Sequence, residues 1–160
     1  MRKRKAIFAV LLALTLQAPI TWAQQLTIEP DTGKQVVLAR SDIEALPHVK
    51  VTIDLSGTSA TFEGASLKSV LERGGVGFGD LKGKRLTSCL LVSAADGYRV
   101  VIALPELDPA FGDKQFILAF LKDGKALDAK EGPYRIVIPD EKRMARWVRQ
   151  VTELKIADVQ

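Results

Sequence analysis

Apolar and polar residues alternate along Val49-Lys50-Val51-Thr52-Ile53-Asp54-Leu55, the period-two pattern of a strand with one buried face. Thr58–Phe62 follows closely enough to pair with it. Upstream, Leu26–Glu29 and Gln35–Ala39 read as short strands around the turn Asp31-Thr32-Gly33-Lys34. Ser41-Asp42-Ile43-Glu44 fits a capping box and predicts a short helix that runs to Leu46 and ends before Pro47. Ser66 predicts a second helix start, with Leu67, Val70 and Leu71 on one face and Gly74-Gly75 at its end. After an irregular, glycine-rich stretch to Gly83, Arg85–Ala94 and Tyr98–Leu104 read as an apolar hairpin around Ala95-Asp96-Gly97. Phe116–Leu121 and Lys125–Leu127 form another around Asp123-Gly124, a strong hairpin signal. Tyr134–Ile138 reads as a strand, Glu141–Arg149 as a short helix and Thr152–Ile156 as a closing strand. Short strands outnumber brief helices, so the pattern predicts a β-rich α+β domain rather than a βαβ nucleotide-binding fold.

The N-terminus changes how the charge is read. Met1-Arg2-Lys3-Arg4-Lys5, an apolar run from Ala6 to Ala18 and the small residues of Thr21-Trp22-Ala23 predict a secretory leader over residues 1–23. The run is shorter than the ~18 residues of a membrane span. The expected product is a single domain over 24–160, periplasmic or secreted, without membrane insertion. The chain carries 23 basic and 19 acidic residues, and Arg2, Lys3, Arg4 and Lys5 supply that whole excess. The basicity therefore belongs to the leader and gives no argument for nucleic-acid binding.

Candidate chemistry is sparse. Cys89 is the only cysteine, so no internal disulfide forms, and His48 is the only histidine. Cys89 lies in an apolar strand and reads as a core residue; His48 reads as a surface or hydrogen-bonded side chain. Asp108 and Asp113 flank Pro109-Ala110-Phe111-Gly112, which reads as a hydrophilic surface loop, with a lid as the sharper alternative. Asp96-Gly97-Tyr98 suits a tight turn or a ligand contact, with Tyr98 and Arg99 as the chemically interesting pair. Arg143, Arg146 and Arg149 recur every three residues and suit either a solvated helical face or an oxyanion clamp.

One set of motifs runs in a specific order. It comprises Phe62-x-Gly64-x-x-Leu67-x-x-Val70-Leu71, Asp96-Gly97-Tyr98 and Ala119-Phe120-x-x-Asp123-Gly124-x-x-Leu127. Gly132-Pro133-x-Arg135-x-x-x-Pro139 and Trp147-Val148-x-x-Val151 complete it. Over Leu46 to Ile156 this resembles the molybdopterin-binding domain of the sulfite oxidase family. The resemblance implies a molybdopterin cofactor held through a cysteine thiolate at the end of the first strand. It also implies cofactor-side positions at Ser56, Asp96, Tyr98, Arg99 and Arg135.

The cysteine position matches Leu55, which has no lone pair to give a metal. Lys130-Glu131 stands where the family tends to carry a histidine, and Asp140-Glu141-Lys142 replaces a glycine-containing loop. These departures lead to the expectation of a binding or accessory module without molybdenum chemistry. It would take a small anionic or pterin-like ligand and serve a membrane sensor or a redox partner protein. The alternatives are an oxidoreductase with an altered metal ligand and a structural subunit of a redox complex.

Overall fold

In a computed structural model of the chain, residues 24–55, 57–79 and 81–158 are described. The predicted leader over residues 1–23 and Ser56 therefore lie outside the described residues. The strands are β1 (Leu26–Glu29), β2 (Val36–Leu38), β3 (His48–Asp54), β4 (Ser59–Ser66) and β5 (Ser88–Ala94). They continue as β6 (Arg99–Ala103), β7 (Ile117–Lys122), β8 (Lys125–Ala126), β9 (Arg135–Val137) and β10 (Val151–Asp158). Two α-helices, α1 (Arg40–Glu44) and α2 (Leu67–Arg73), are found among the described residues. The domain is thus β-rich α+β.

The strands form two five-stranded sheets. The first has the order β2-β1-β10-β5-β6, with β1 parallel to β10 and the other neighbours antiparallel. The second has the order β3-β4-β7-β8, with β9 also pairing β7. Both contribute to one cluster of buried side chains, including Leu26, Ile28, Leu90 and Leu154 from the first and Phe62, Phe120 and Ile136 from the second. Leu67, Val70 and Leu71 of α2 join it, placed by the Ser66 cap, whose Oγ accepts from the Ser69 N–H at 3.4 Å.

The alternation along β3 survives as alternating exposure, and the strand pairs with β4 along its whole length, Val51 opposite Phe62. The β7–β8 turn is built by Asp123 and Gly124, both with positive φ. The Asp123 side chain accepts from the Thr61 N–H at 2.8 Å and its own N–H donates to the Thr61 carbonyl at 2.7 Å. The Asp-Gly signal therefore fixes the turn and also seats it on β4.

Two expectations need correction, and a third holds with a qualification. The cap of α1 is Ala39, not Ser41: Asp42 reaches back to accept from the Ala39 N–H at 3.0 Å, leaving Ser41 inside the helix. Cys89 is buried among the hydrophobic residues, as its apolar strand predicts, though it does not belong to the main cluster. Leu90 and Val92 point into that core, so the pleat turns Cys89 to the opposite face of the sheet, between Ala103 and Ala157.

The second correction concerns Glu141–Arg149, which is not an α-helix and holds only a single 3-10 turn, Met144–Arg146. Its backbone is already committed elsewhere. The Ile136 N–H donates to the Val148 carbonyl at 2.8 Å, and the Gln150 N–H to that of Glu131 at 2.9 Å. The Trp147 Nε1–H donates to the Ile138 carbonyl at 3.1 Å. Those bonds fasten the Gly-Pro-Tyr-Arg segment to the tail and hold the end of the tail extended against β9, where the Val148 carbonyl and the Gln150 N–H are spent on tertiary pairing.

Charged networks fix the loops around this junction. Arg146 pairs with Glu106 at 3.1 Å and closely with Glu141, which also takes Lys114 Nζ at 2.6 Å. Hydrogen bonding from Arg146, aided by Lys114, holds the Glu141 carboxyl down to about 2. Arg146 is thus consumed internally.

On β3, His48 sends Nδ1 toward the Glu63 carboxylate at 2.8 Å and Nε2 toward the Glu44 carbonyl at 2.9 Å. Both ring nitrogens face acceptors, a geometry satisfied fully only by the imidazolium. The Glu63 hydrogen bond, followed by the Glu44 carbonyl, pushes the His48 pKa above its ordinary 6.5. A folded pKa above the unfolded one gives stability that is complete below 6.5 and lost as pH rises through the folded value. The melting temperature of the wild type should therefore fall as pH rises from 6.5 through the folded value, and that of His48→Gln should lack this slope. Parallel slopes in both proteins would refute the role.

Candidate functional site

Beside the fastened junction lies a cavity of about 340 Å3 lined by Asp96, Tyr98, Arg135, Met144, Ala145, Trp147, Val148 and Arg149. Three separate segments build it. The first is the β5–β6 turn, where Asp96 Oδ1 accepts from the Tyr98 N–H at 2.9 Å in an Asx-type turn. The Tyr98 hydroxyl reaches across to donate to the Ala145 carbonyl at 2.8 Å, tying that turn to the 3-10 turn of the tail. The second segment is β9, which carries Arg135. The third is the tail itself, which supplies Trp147 and Arg149.

Arg135 is only 8% exposed. Its guanidinium lies 5.3 Å from the ring centroid of Phe62 and 5.5 Å from that of Trp147. Such cation–π contacts are worth about 0.5–2 kcal/mol each, more when desolvated. Its Nη1 donates to Glu131 at close range, and its buried Nε has no hydrogen-bond partner among the described residues. Burial pushes its pKa below the usual arginine value; Glu131 opposes that shift and the nearby charge of Arg149 adds to it. A buried guanidinium with an unused N–H is a costly arrangement unless something polar meets it.

Of the residues that the sequence pointed to, the fold brings Asp96, Tyr98 and Arg135 to this one cavity. Arg99 is not among its lining residues; it is exposed on β6, opposite Ser93. Ser56 lies outside the described residues. Sequence reasoning did not place Trp147 or Glu131 in a site, and it offered Arg149 as an oxyanion clamp only as the alternative to a solvated face. Trp147 read as the apolar face of a helix and Arg149 as part of its polar face. Glu131 was visible only as a departure before Gly-Pro. Asp108 is buried, accepting from the Ala110 N–H at 3.0 Å and the Gly79 N–H at 3.3 Å, so it anchors its loop instead of gating a site. Asp113 lines a different cavity of about 310 Å3 beside the start of α2, with Ser66, Lys68, Lys114 and Phe116.

The residues present can be tested against a thiolate-held molybdenum. Leu55, at the matching position after β3, is half-buried against the core and donates its N–H to the Thr58 carbonyl at 2.8 Å, closing the β3–β4 hairpin. The one thiol sits in the other sheet, on β5. Among the described residues no group of three or more His, Cys, Asp or Glu side chains is arranged to hold a metal. This donor set does not fit a cysteine-ligated metal, because neither a thiolate nor a replacement cluster stands at that hairpin.

The sequence model of the oxidoreductase molybdopterin binding domain matches residues 15–160. No curated protein matches the chain. Among solved structures it is similar to the sulfane dehydrogenase SoxCD from Paracoccus pantotrophus, with a TM-score of 0.65 and 20% identity. That likeness covers 85% of this chain and 38% of the other, so the chain spans well under half of that protein. At that identity the likeness speaks for the fold, which is of the sulfite oxidase type. The family match over nearly the whole chain, on a fold of that type, makes this protein a member of the oxidoreductase molybdopterin-binding domain family.

Proposed function

We propose that this chain is an extracytoplasmic binding or accessory module built on the molybdopterin-binding fold, taking a small anionic or pterin-like ligand without molybdenum chemistry. The observation that carries the reading is the pocket around Arg135. A buried guanidinium with an unused Nε–H lines a cavity walled by Trp147 and Tyr98, and Arg149 adds a second cation. Flat aromatic walls with guanidinium donors suit a planar heterocycle or an oxyanion. Leu55 at the thiolate position supports a binding role over a redox one. The leader-like N-terminus supports export, and a membrane sensor or redox protein is the partner class that such a location favours.

Two measurements test this. Protein from a host competent for molybdenum cofactor synthesis should contain no stoichiometric molybdenum, and finding it would favour an oxidoreductase with an altered ligand. Titration with nitrate should show binding that Arg135→Ala weakens by roughly tenfold or more, the worth of a hydrogen bond to a charged group. Equal affinity in both proteins would assign Arg135 a purely structural role.

A further inference from the structure

The geometry points to Glu131 as the residue that sets the charge selectivity of the Arg135 pocket, restricting it to ligands that carry a single negative charge. This rests on the reading of that pocket as an anion site. The Glu131 carboxylate already occupies one edge of the Arg135 guanidinium, and its other oxygen lies 3.4 Å from Lys122 Nζ. The residue is held rigidly. Its N–H donates to the Asp128 carbonyl at 3.1 Å and to Asp128 Oδ1 at 3.0 Å, while its carbonyl accepts from the Gln150 N–H at 2.9 Å. The Glu131 side chain is only 16% exposed, so the carboxylate is a built-in counter-ion and not a surface group that strays onto Arg135.

An incoming ligand therefore meets a guanidinium whose charge Glu131 already offsets. Arg149 makes no ion pair among the described residues, and Asp96 adds a negative charge to the rim. One negative charge on the ligand is matched by Arg149. A second charge gains little attraction and meets repulsion from Glu131 and Asp96. At the few-ångström separations involved, each unmatched charge in a partly buried site is worth about tenfold or more in affinity.

The test compares nitrate with sulfate by titration calorimetry on the full chain at constant ionic strength and neutral pH. The wild type should bind nitrate at least about tenfold more tightly than sulfate, and Glu131→Gln should shift the ratio about tenfold toward sulfate. A sulfate preference in the wild type, or a ratio that Glu131→Gln leaves unchanged, would overturn the assignment of Glu131. If Arg135→Ala still weakened binding in that case, the anion pocket itself would stand. Failure of wild type and Glu131→Gln to take either anion would overturn the pocket reading as well. The wild-type preference needs no variant, so it decides the matter even where Glu131→Gln does not fold.

Discussion

Gly64→Ala is expected to destabilise the domain by about 3 kcal/mol or more, lowering the melting temperature by roughly 10 °C. Gly64 lies on β4 at the register shift where that strand meets β7. A Cβ added there would run into the Leu118 carbonyl oxygen and stand 2.6 Å from the Ala119 Cα and 2.7 Å from the Leu118 carbonyl carbon. The obstacle is backbone, so no side-chain rotation relieves it. Either β7 moves away, breaking ladder bonds in the middle of the sheet, or β4 does. The neighbours of Gly64 in the register feed directly into the site, since Ala119 pairs with Arg135 and Phe62 lies under it. Calorimetric melting checks this; an unchanged melting temperature would show that the sheet yields at negligible cost.

Phe62→Ala is expected to cost about 3–5 kcal/mol and to disable the pocket at the same time. Phe62 is wholly buried and meets Trp147 edge to face at 6.1 Å. Its ring also lies under the Arg135 guanidinium, with Lys122 Nζ at 5.6 Å. Truncation leaves a cavity, takes one aromatic face from a buried cation and lets Trp147 shift. Denaturant unfolding followed by tryptophan emission should show the stability loss together with red-shifted native emission. A loss of about 1 kcal/mol or less, with native emission unchanged, would mean that the neighbours collapse into the space and Phe62 does not organise the site.

Local signals in the sequence translated well into structure where they were self-contained. The alternation through Val49–Leu55 became β3, Ser66 capped α2, and Asp123-Gly124 closed its hairpin. Each depends on neighbours within a few residues. The motif series from Phe62 to Val151 also pointed to the family, and Gly64 shows why one of its glycines is needed: a second strand passes where a Cβ would be. The misreadings share a different cause. Arg143, Arg146 and Arg149 at three-residue spacing suggested one helical face, yet Arg146 is held by Glu106, some forty positions earlier in the chain, and by Glu141. The apolar strand correctly marked Cys89 as buried, but which face of the sheet it took depended on β6 and β10 pairing on either side.

The sequence by itself determined a β-rich fold of the molybdopterin-binding type, with Leu55 where a thiolate is expected and Arg135 on the family's motif. Periodicity, capping and turn chemistry are local, and the identity of a potential metal ligand is read directly from its position. Only the tertiary structure decided that Asp96, Tyr98, Arg135, Trp147 and Arg149 share a cavity, that Arg99 does not join them and that Glu131 neutralises Arg135. Those facts depend on strands distant in the chain lying side by side, and on the tail giving up a helix to hydrogen-bond with β9.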